Sequence, residues 1–211
     1  MLSLGKTKDR EELKSWLGDK EGLLSWKLDG LTIVLTYQNG ELLKAVTRGN
    51  GEVGEVITNN AKVFQNIPFR IRYQGELVLR GEAVITYHDF EEINSHIEDV
   101  DAKYKNPRNL CSGSVRQLNN QITEERNVRF YAFALVKADG VDFGNSREKQ
   151  FVFLREQVFD VVEFQKVNAG NVTDAVDDYE KRVQDYDIPS DGLVLIYDDI
   201  AYGRSLGRTA K

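Results

Sequence analysis

A single cysteine, Cys111, leaves no partner for an intramolecular disulfide and fits a reducing compartment. Its ordinary reading is a small buried side chain, with a reactive thiol as the alternative. Two histidines, His88 and His96, with that one thiol are too few for a zinc site. No run approaches the roughly 18 apolar residues of a membrane span, and the N-terminus lacks a secretory signal pattern. The cytoplasm is therefore the expected compartment, with no membrane partner. Internal repeats, low-complexity tracts and obvious linkers are missing, as is a Rossmann glycine fingerprint after a strand. Positive charge is not in excess either. A net charge of -6 and a pI of about 5.1 argue against tight nucleic-acid binding by this segment alone, although 28 Lys and Arg residues leave room for local basic patches.

What is present is core material: 41% of the 211 residues are apolar and 29% are charged, the balance of a folded, soluble domain. Asp9 to Gly18 reads as a short amphipathic helix. Asp9 and Glu12 have capping-box spacing, Leu13, Trp16 and Leu17 form one stripe, and Gly18 suits the stop. Residues 23–48 are strand-rich, with a β-branched run over 31–37 and a hairpin turn at Asn39-Gly40. A glycine-rich loop over 49–55 leads into a helix to about Phe64. Strands are expected near 69–73 and 76–84, helices near 87–97 and, after Pro107, over 108–118. Arg108 and Arg116 then fall about two turns apart, on one helical face. A strand over 128–136, helices near 146–157 and 173–185, and strands at 161–164 and 193–197 complete an α+β pattern of antiparallel hairpins with inserted helices.

Chemistry gathers where charge meets glycine at strand ends. Alternation puts Lys27 and Asp29 on one face and Trp26 and Leu28 on the other. If apolar strands wall in that face, the lysine is partly desolvated, its amine lone pair is freed, and Asp29 can orient it. The plain alternative is an edge lysine before a turn. Arg48, followed by Gly49-Asn50-Gly51, can fork onto phosphate or ribose oxygens. Glu82, after Arg80-Gly81, could hold a ribose hydroxyl or a divalent metal, and Asp191-Gly192 offers a second carboxylate. An amine, carboxylates and arginines in one cleft suit phosphoryl or nucleotidyl transfer.

At these residues, and over almost its whole length, the sequence resembles the adenylation domain of bacterial NAD⁺-dependent DNA ligases. The resemblance rests on Lys27-Leu-Asp-Gly30, Thr47-Arg-Gly-Asn-Gly51, Leu79-Arg-Gly-Glu82, Asn106-Pro-Arg-Asn109, Gly113-Ser-Val-Arg-Gln-Leu118, Phe130-Tyr-Ala-Phe133 and Asp191-Gly-Leu-Val194, in that order. It implies an ATP-grasp-like nucleotidyltransferase fold, antiparallel sheets flanked by helices. It implies that Lys27 attacks the α-phosphorus of NAD⁺ and keeps AMP, which then passes to the 5′-phosphate of a DNA nick. Asp29 and Gly30 would lie beside the nucleotide, Arg48 and Glu82 near ribose and phosphate, and Arg108 and Arg116 against nick or nucleotide phosphates. Asp191 would lie near the reacting phosphate and, with Glu82, near Mg²⁺. Phe133 reads equally as core packing or as a face for adenine.

The sequence also departs from the family pattern. Ser25 stands where the family has an adenine-recognising glutamate, Asn50 where it has aspartate, and Ile196 where it has a lysine that neutralises phosphate. The resemblance places the module that grips nicotinamide mononucleotide before residue 1, and the last lysine motif and the OB, helix-hairpin-helix and BRCT regions after Lys211. Ligation is therefore expected from a longer, monomeric polypeptide acting on nicked double-stranded DNA. A non-catalytic nucleotide- or DNA-binding relative is the alternative, motivated by Ser25 and Ile196. An ATP-using ligase or capping-type transferase shares Lys-x-Asp-Gly, but not the Asn-Pro-Arg-Asn segment.

Overall fold

The computed structural model describes residues 7–48 and 54–206. Along the chain lie α1 (Arg10–Leu17), β1 (Gly22–Leu28), β2 (Leu31–Gln38), β3 (Glu41–Thr47), α2 (Thr58–Ala61), β4 (Leu77–Val84) and α3 (Tyr87–Ser95). They are followed by α4 (Pro107–Ser114), α5 (Asn120–Glu125), β5 (Arg129–Ala138), α6 (Arg147–Glu156), β6 (Phe164–Val167), α7 (Val172–Arg182), β7 (Ser190–Tyr197) and α8 (Ile200–Ser205). The strands form two antiparallel sheets, ordered β6-β1-β7 and β3-β2-β4-β5. The expected α+β class is the one found.

Strand alternation decides what each sheet shows to the other. In β2, Ile33, Leu35 and Tyr37 are buried in one core with Leu79, Leu110 and Phe130, and Thr32 points to the opposite face. In β4, Leu79, Gly81 and Ala83 are buried and the intervening Arg80 and Glu82 take the other side. In β1, Leu24 and Trp26 enter a second core with Val172, Tyr179 and Leu195, which turns Ser25 and Lys27 outward. Trp26 is fixed there by stacking on Tyr186 at 4.5 Å and by donating its Nε1–H to Glu163 at 3.1 Å. Each core covers one sheet with its own helices, and the two remaining faces define a slot.

Several local expectations are met. Asn39 and Gly40 both have positive φ, 53° and 79°, as a two-residue type I′ hairpin requires. Pro107 opens α4, whose N-cap Asn106 accepts from the Asn109 N–H. Asp9 caps α1 through the Glu11 N–H, but the reciprocal half of the capping box is absent. The Asp9 N–H instead donates to Thr7 Oγ1 at 3.0 Å, and Thr7 in turn holds Glu12.

Other expectations are corrected. Residues 69–73 make one isolated bridge, Glu41 to Arg70, because Tyr73 N–H donates to the Gln157 side chain and not to a neighbouring strand. The helix expected up to Phe64 is only the single turn α2. The strand placed at 161–164 begins at Phe164, and Val161 makes a lone parallel bridge to Ala132. The helix expected over 108–118 stops at Ser114, whose hydroxyl donates to Leu110 O while its carbonyl accepts from buried Thr123 Oγ1. Thr123 also accepts from Asn60 Nδ2, which bonds Gln117 O as well, so a buried polar knot ends the helix early.

Candidate functional site

The slot between the sheets contains two adjoining cavities, of about 650 and about 310 Å³. Lys27, Leu28, Thr32, Arg48 and Glu82 border both. Asp29, Gly30, Arg108 and Asp191 belong to the smaller one, at the mouth, and Phe133 lines the larger.

An irregularity brings two of these groups together. The β1–β7 register slips between Trp26/Leu193 and Leu28/Ser190, so Lys27 faces the two residues Asp191 and Gly192. Gly192 has φ 154°, a conformation that L side chains rarely adopt, and the bulge turns the carboxylate toward the amine. Lys27 Nζ lies 3.5 Å from Asp191 Oδ2, with the two side chains 51% and 47% exposed. This corrects two expectations. Neighbouring strands do not wall the amine off from water, and its partner is Asp191 and not Asp29. β1 ends at Leu28, so Asp29 leaves the strand, donates its N–H to Pro189 O, and pairs with Arg108 Nε at 3.7 Å.

Glu82 is the enclosed carboxylate. It accepts from Thr32 Oγ1 at 2.8 Å and from the Gly30 N–H at 3.2 Å. Burial pushes its pKa up to about 7, with the charge of Asp29 adding; the Thr32 and Gly30 hydrogen bonds and Arg108 pull the other way. The folded value lies above the ordinary 4.5, so folding favours the protonated acid. The stabilisation is full below the unfolded value and is lost as pH climbs through about 7. Glu82→Gln removes this titration. Between pH 5 and pH 8 the stability difference should move by roughly 2 to 3 kcal/mol in favour of the glutamine variant, read by denaturant unfolding at both pH values. An offset that does not change with pH would contradict the assignment.

A second bulge positions Phe133. Leu79 pairs with Leu135, Arg80 with Ala134 and Gly81 with Ala132, which leaves Phe133 as the extra residue. Ala132 also bonds Asp160 and Val162, and the bulged ring is directed at the cavity wall. Arg116 is not brought in. It lies past the end of α4 and pairs with Glu55 at 3.1 Å, outside both cavity linings. Gly49, Asn50 and Gly51 lie outside the described residues. Cys111 is fully buried, and burial pushes its thiol far up, the behaviour of a packing residue. Sequence reasoning passed over Arg80, Arg147, Gln150 and Arg204, all of which line the larger cavity. The alternation that placed Glu82 also places Arg80, but α6 and α8 gave no such signal.

Comparison with protein families matches residues 1–211 to the NAD-dependent DNA ligase adenylation domain. The chain belongs to that family. Among curated relatives, this adenylation domain is 64% identical over 211 residues to a DNA ligase of Lachnoclostridium phytofermentans, covering 100% of this chain and 32% of that protein. It is 63% identical to one of Ruminiclostridium cellulolyticum, again over 32% of that protein. A DNA ligase of Leptospira interrogans is 35% identical over 215 residues, 31% of its length. The chain thus spans about a third of the relatives it matches. In fold it is similar to an archaeal ATP-dependent RNA ligase, with TM-score 0.56 and 14% identity over 95% of this chain and 45% of the other. It is also similar to a Lig E DNA ligase, with TM-score 0.51 and 19% identity over 94% and 62%. The ligase nucleotidyltransferase fold implied by the sequence is therefore the fold found. No helix among the described residues is long and apolar enough to cross a membrane.

Proposed function

We propose that this adenylation domain works within a longer NAD⁺-dependent DNA ligase, with Lys27 as the nucleophile. The observation that carries the reading is the pairing of Lys27 Nζ with Asp191 at 3.5 Å, at the mouth shared by both cavities. The ammonium must shed a proton before it can attack, and Asp191 is the acceptor within reach. A Nζ–P bond then forms at the α-phosphorus of NAD⁺ as the P–O bond to nicotinamide mononucleotide breaks. Arg48 and Arg108, both on the smaller cavity, would take the phosphate charge, and Asp29 holds Arg108 ready. Glu82 and Thr32 would meet the ribose, and Phe133 the base. AMP then passes to a 5′-phosphate at a DNA nick, held by parts of the polypeptide outside this segment.

The scheme, as proposed, calls on one copy of the chain. Arg116 would have to leave Glu55 before it could serve DNA phosphate. Magnesium fits Asp191 better than Glu82. Both oxygens of Glu82 are already hydrogen-bonded, and the buried acid is half-protonated near neutrality. Mg²⁺ commonly binds through one carboxylate, waters and substrate phosphates, and it would supply charge neutralisation at the phosphate.

A second reading, a non-catalytic nucleotide- or DNA-binding relative, draws on Ser25 and Ile196, which put a hydroxyl and an aliphatic side chain on the cavity wall. Peptide mapping after incubation of the complete protein with NAD⁺ separates the two. AMP attached to Lys27 is expected. Nucleotide bound without any covalent adduct, or AMP on another residue, would reject the proposed chemistry.

A further inference from the structure

We propose that Gln150 is the specificity-determining residue of the larger cavity, reading the amine edge of adenine, with Arg147 as the positioning residue that fixes its amide. The proposal rests on the nucleotide reading of this cavity and names the side chain that would choose the base. Both residues lie at the start of α6, three apart and hence on one face, and both line the cavity. Asp198, just past β7, holds that turn in place. Its carbonyl accepts the Arg147 N–H at 3.0 Å, and its Oδ1 accepts from the Glu148 N–H at 2.9 Å and from Ser146 Oγ at 3.0 Å. The next residue, Phe151, packs on Phe164 at 4.9 Å, and Phe164 faces Ser25 across the β1–β6 ladder. The helix is thereby brought to the slot beside Ser25, two residues along β1 from Lys27.

What marks adenine is an exocyclic amine beside a ring nitrogen, a donor next to an acceptor. Its reader must offer that amine an acceptor, and most acceptors on the cavity wall are engaged. Thr32 and Glu82 bond each other at the mouth. Asp199 accepts from the Tyr202 N–H at 2.9 Å and Asn145 Nδ2 at 2.6 Å and faces Lys20 at 3.8 Å. The Tyr197 hydroxyl is turned to Trp16 O, and arginines only donate. Among the described side chains on the wall this leaves Ser25 and Gln150. Only the glutamine sets an acceptor and a donor side by side in one plane.

Gln150 is 6% exposed, and its –NH₂ has no partner among the described residues, so the fold leaves a donor waiting at the cavity wall. Arg147 Nη1 donates to Gln150 Oε1 at 3.3 Å. A guanidinium cannot accept, so it keeps the amide oxygen on its own side and blocks the half-turn that would exchange oxygen and nitrogen. The second lone pair of Oε1 then accepts from the adenine amine while Nε2 donates to the adjoining ring nitrogen, the pairing that glutamine makes with N6 and N7. Hypoxanthine sets O6 against Oε1, acceptor against acceptor, and the locked amide cannot turn to relieve it.

The test is calorimetry on the complete protein carrying Lys27→Ala, which prevents covalent trapping, with AMP and IMP. AMP should bind about ten- to hundredfold more tightly than IMP, and adding Gln150→Met should bring the two within about threefold. Methionine keeps the volume and removes both amide groups. Arg147→Met should narrow the same ratio by another route, weakening AMP and strengthening IMP, because the freed amide can turn. A ratio that survives Gln150→Met overturns the proposal, as does tighter binding of IMP before either change. An Arg147 that only props up α6 would weaken both nucleotides alike, and that result overturns it too. Should Gln150→Met fail to fold, Arg147→Met decides alone, and an unchanged ratio overturns the proposal. If the ratio fails while Lys27 of the parent protein still acquires AMP from NAD⁺, the inference falls and the proposed function stands. If no nucleotide binds or labels Lys27, both fall.

Discussion

Lys27→Ala in the complete protein is expected to slow formation of the enzyme–nucleotide adduct by at least about 10⁴-fold, while nucleotide affinity changes by no more than about tenfold. The asymmetry follows from what borders the site. Lys27 is the only lysine lining either cavity among the described residues. The remaining cations there are arginines, which stay protonated and cannot serve as nucleophiles. No neighbour can take over bond formation. The binding surfaces, in contrast, lie on other elements: Thr32 on β2, Glu82 on β4 and Phe133 on β5. Single-turnover labelling and equilibrium binding on the same pair of proteins provide the check. Residual labelling above a hundredth of the parent rate would mean that the nucleophile is elsewhere.

Gly30→Ala is expected to cost about 3 kcal/mol or more and to lower the melting midpoint by about 10 °C. A β-carbon on Gly30 would sit 1.9 Å from the backbone oxygen of Ala83 and 3.0 Å from both Ala83 C and Val84 Cγ1. A flexible side chain could move aside, but here the obstacle is the backbone of β4. Displacing it would carry Glu82 away from the Gly30 N–H that it accepts, so the damage reaches the site as well as the core. Gly113→Ala is the matched control. Its added methyl would meet Tyr104 at an ordinary 3.5 Å, inside α4, where alanine is the better helix former. Thermal melts of the two variants should differ clearly. Equal midpoints would show that β4 yields without cost.

Some of this was legible in the sequence for identifiable reasons. The period-two run over β2, the Asn39-Gly40 turn and the Pro107 helix start are local signals whose physics is complete within a few residues, and the structure has them where expected. Lys27, Glu82, Arg108 and Asp191 stand out in the sequence because a charge lies within three residues of glycine or proline near a strand or helix end, and all four border the smaller cavity. The failures are non-local. Arg116 was put on a helix that the Asn60–Thr123–Ser114 knot cuts short, and two of those three residues lie outside the helical segment. Phe133 both packs against the second core and lines the larger cavity, a double position that follows from a register slip against β4, which periodicity within β5 alone does not report. Asp191 takes the place beside Lys27 expected of Asp29 for the same reason, through a slip between strands more than 160 residues apart in sequence. Arg147 and Arg204 carry no local motif, and only the packing of α6 against β5 and of α8 against β7 brings them to the slot.

Because each sheet closes its own core, the gap between them is a seam that the described side chains leave open. A guest seated there touches both halves at once and serves as a keystone, so the assembled arch is stiffer than either pier. Mass action then adds roughly 2.7 kcal/mol at a hundredfold excess over the dissociation constant. Ordinary melting curves can therefore rank candidate guests before any bond is made.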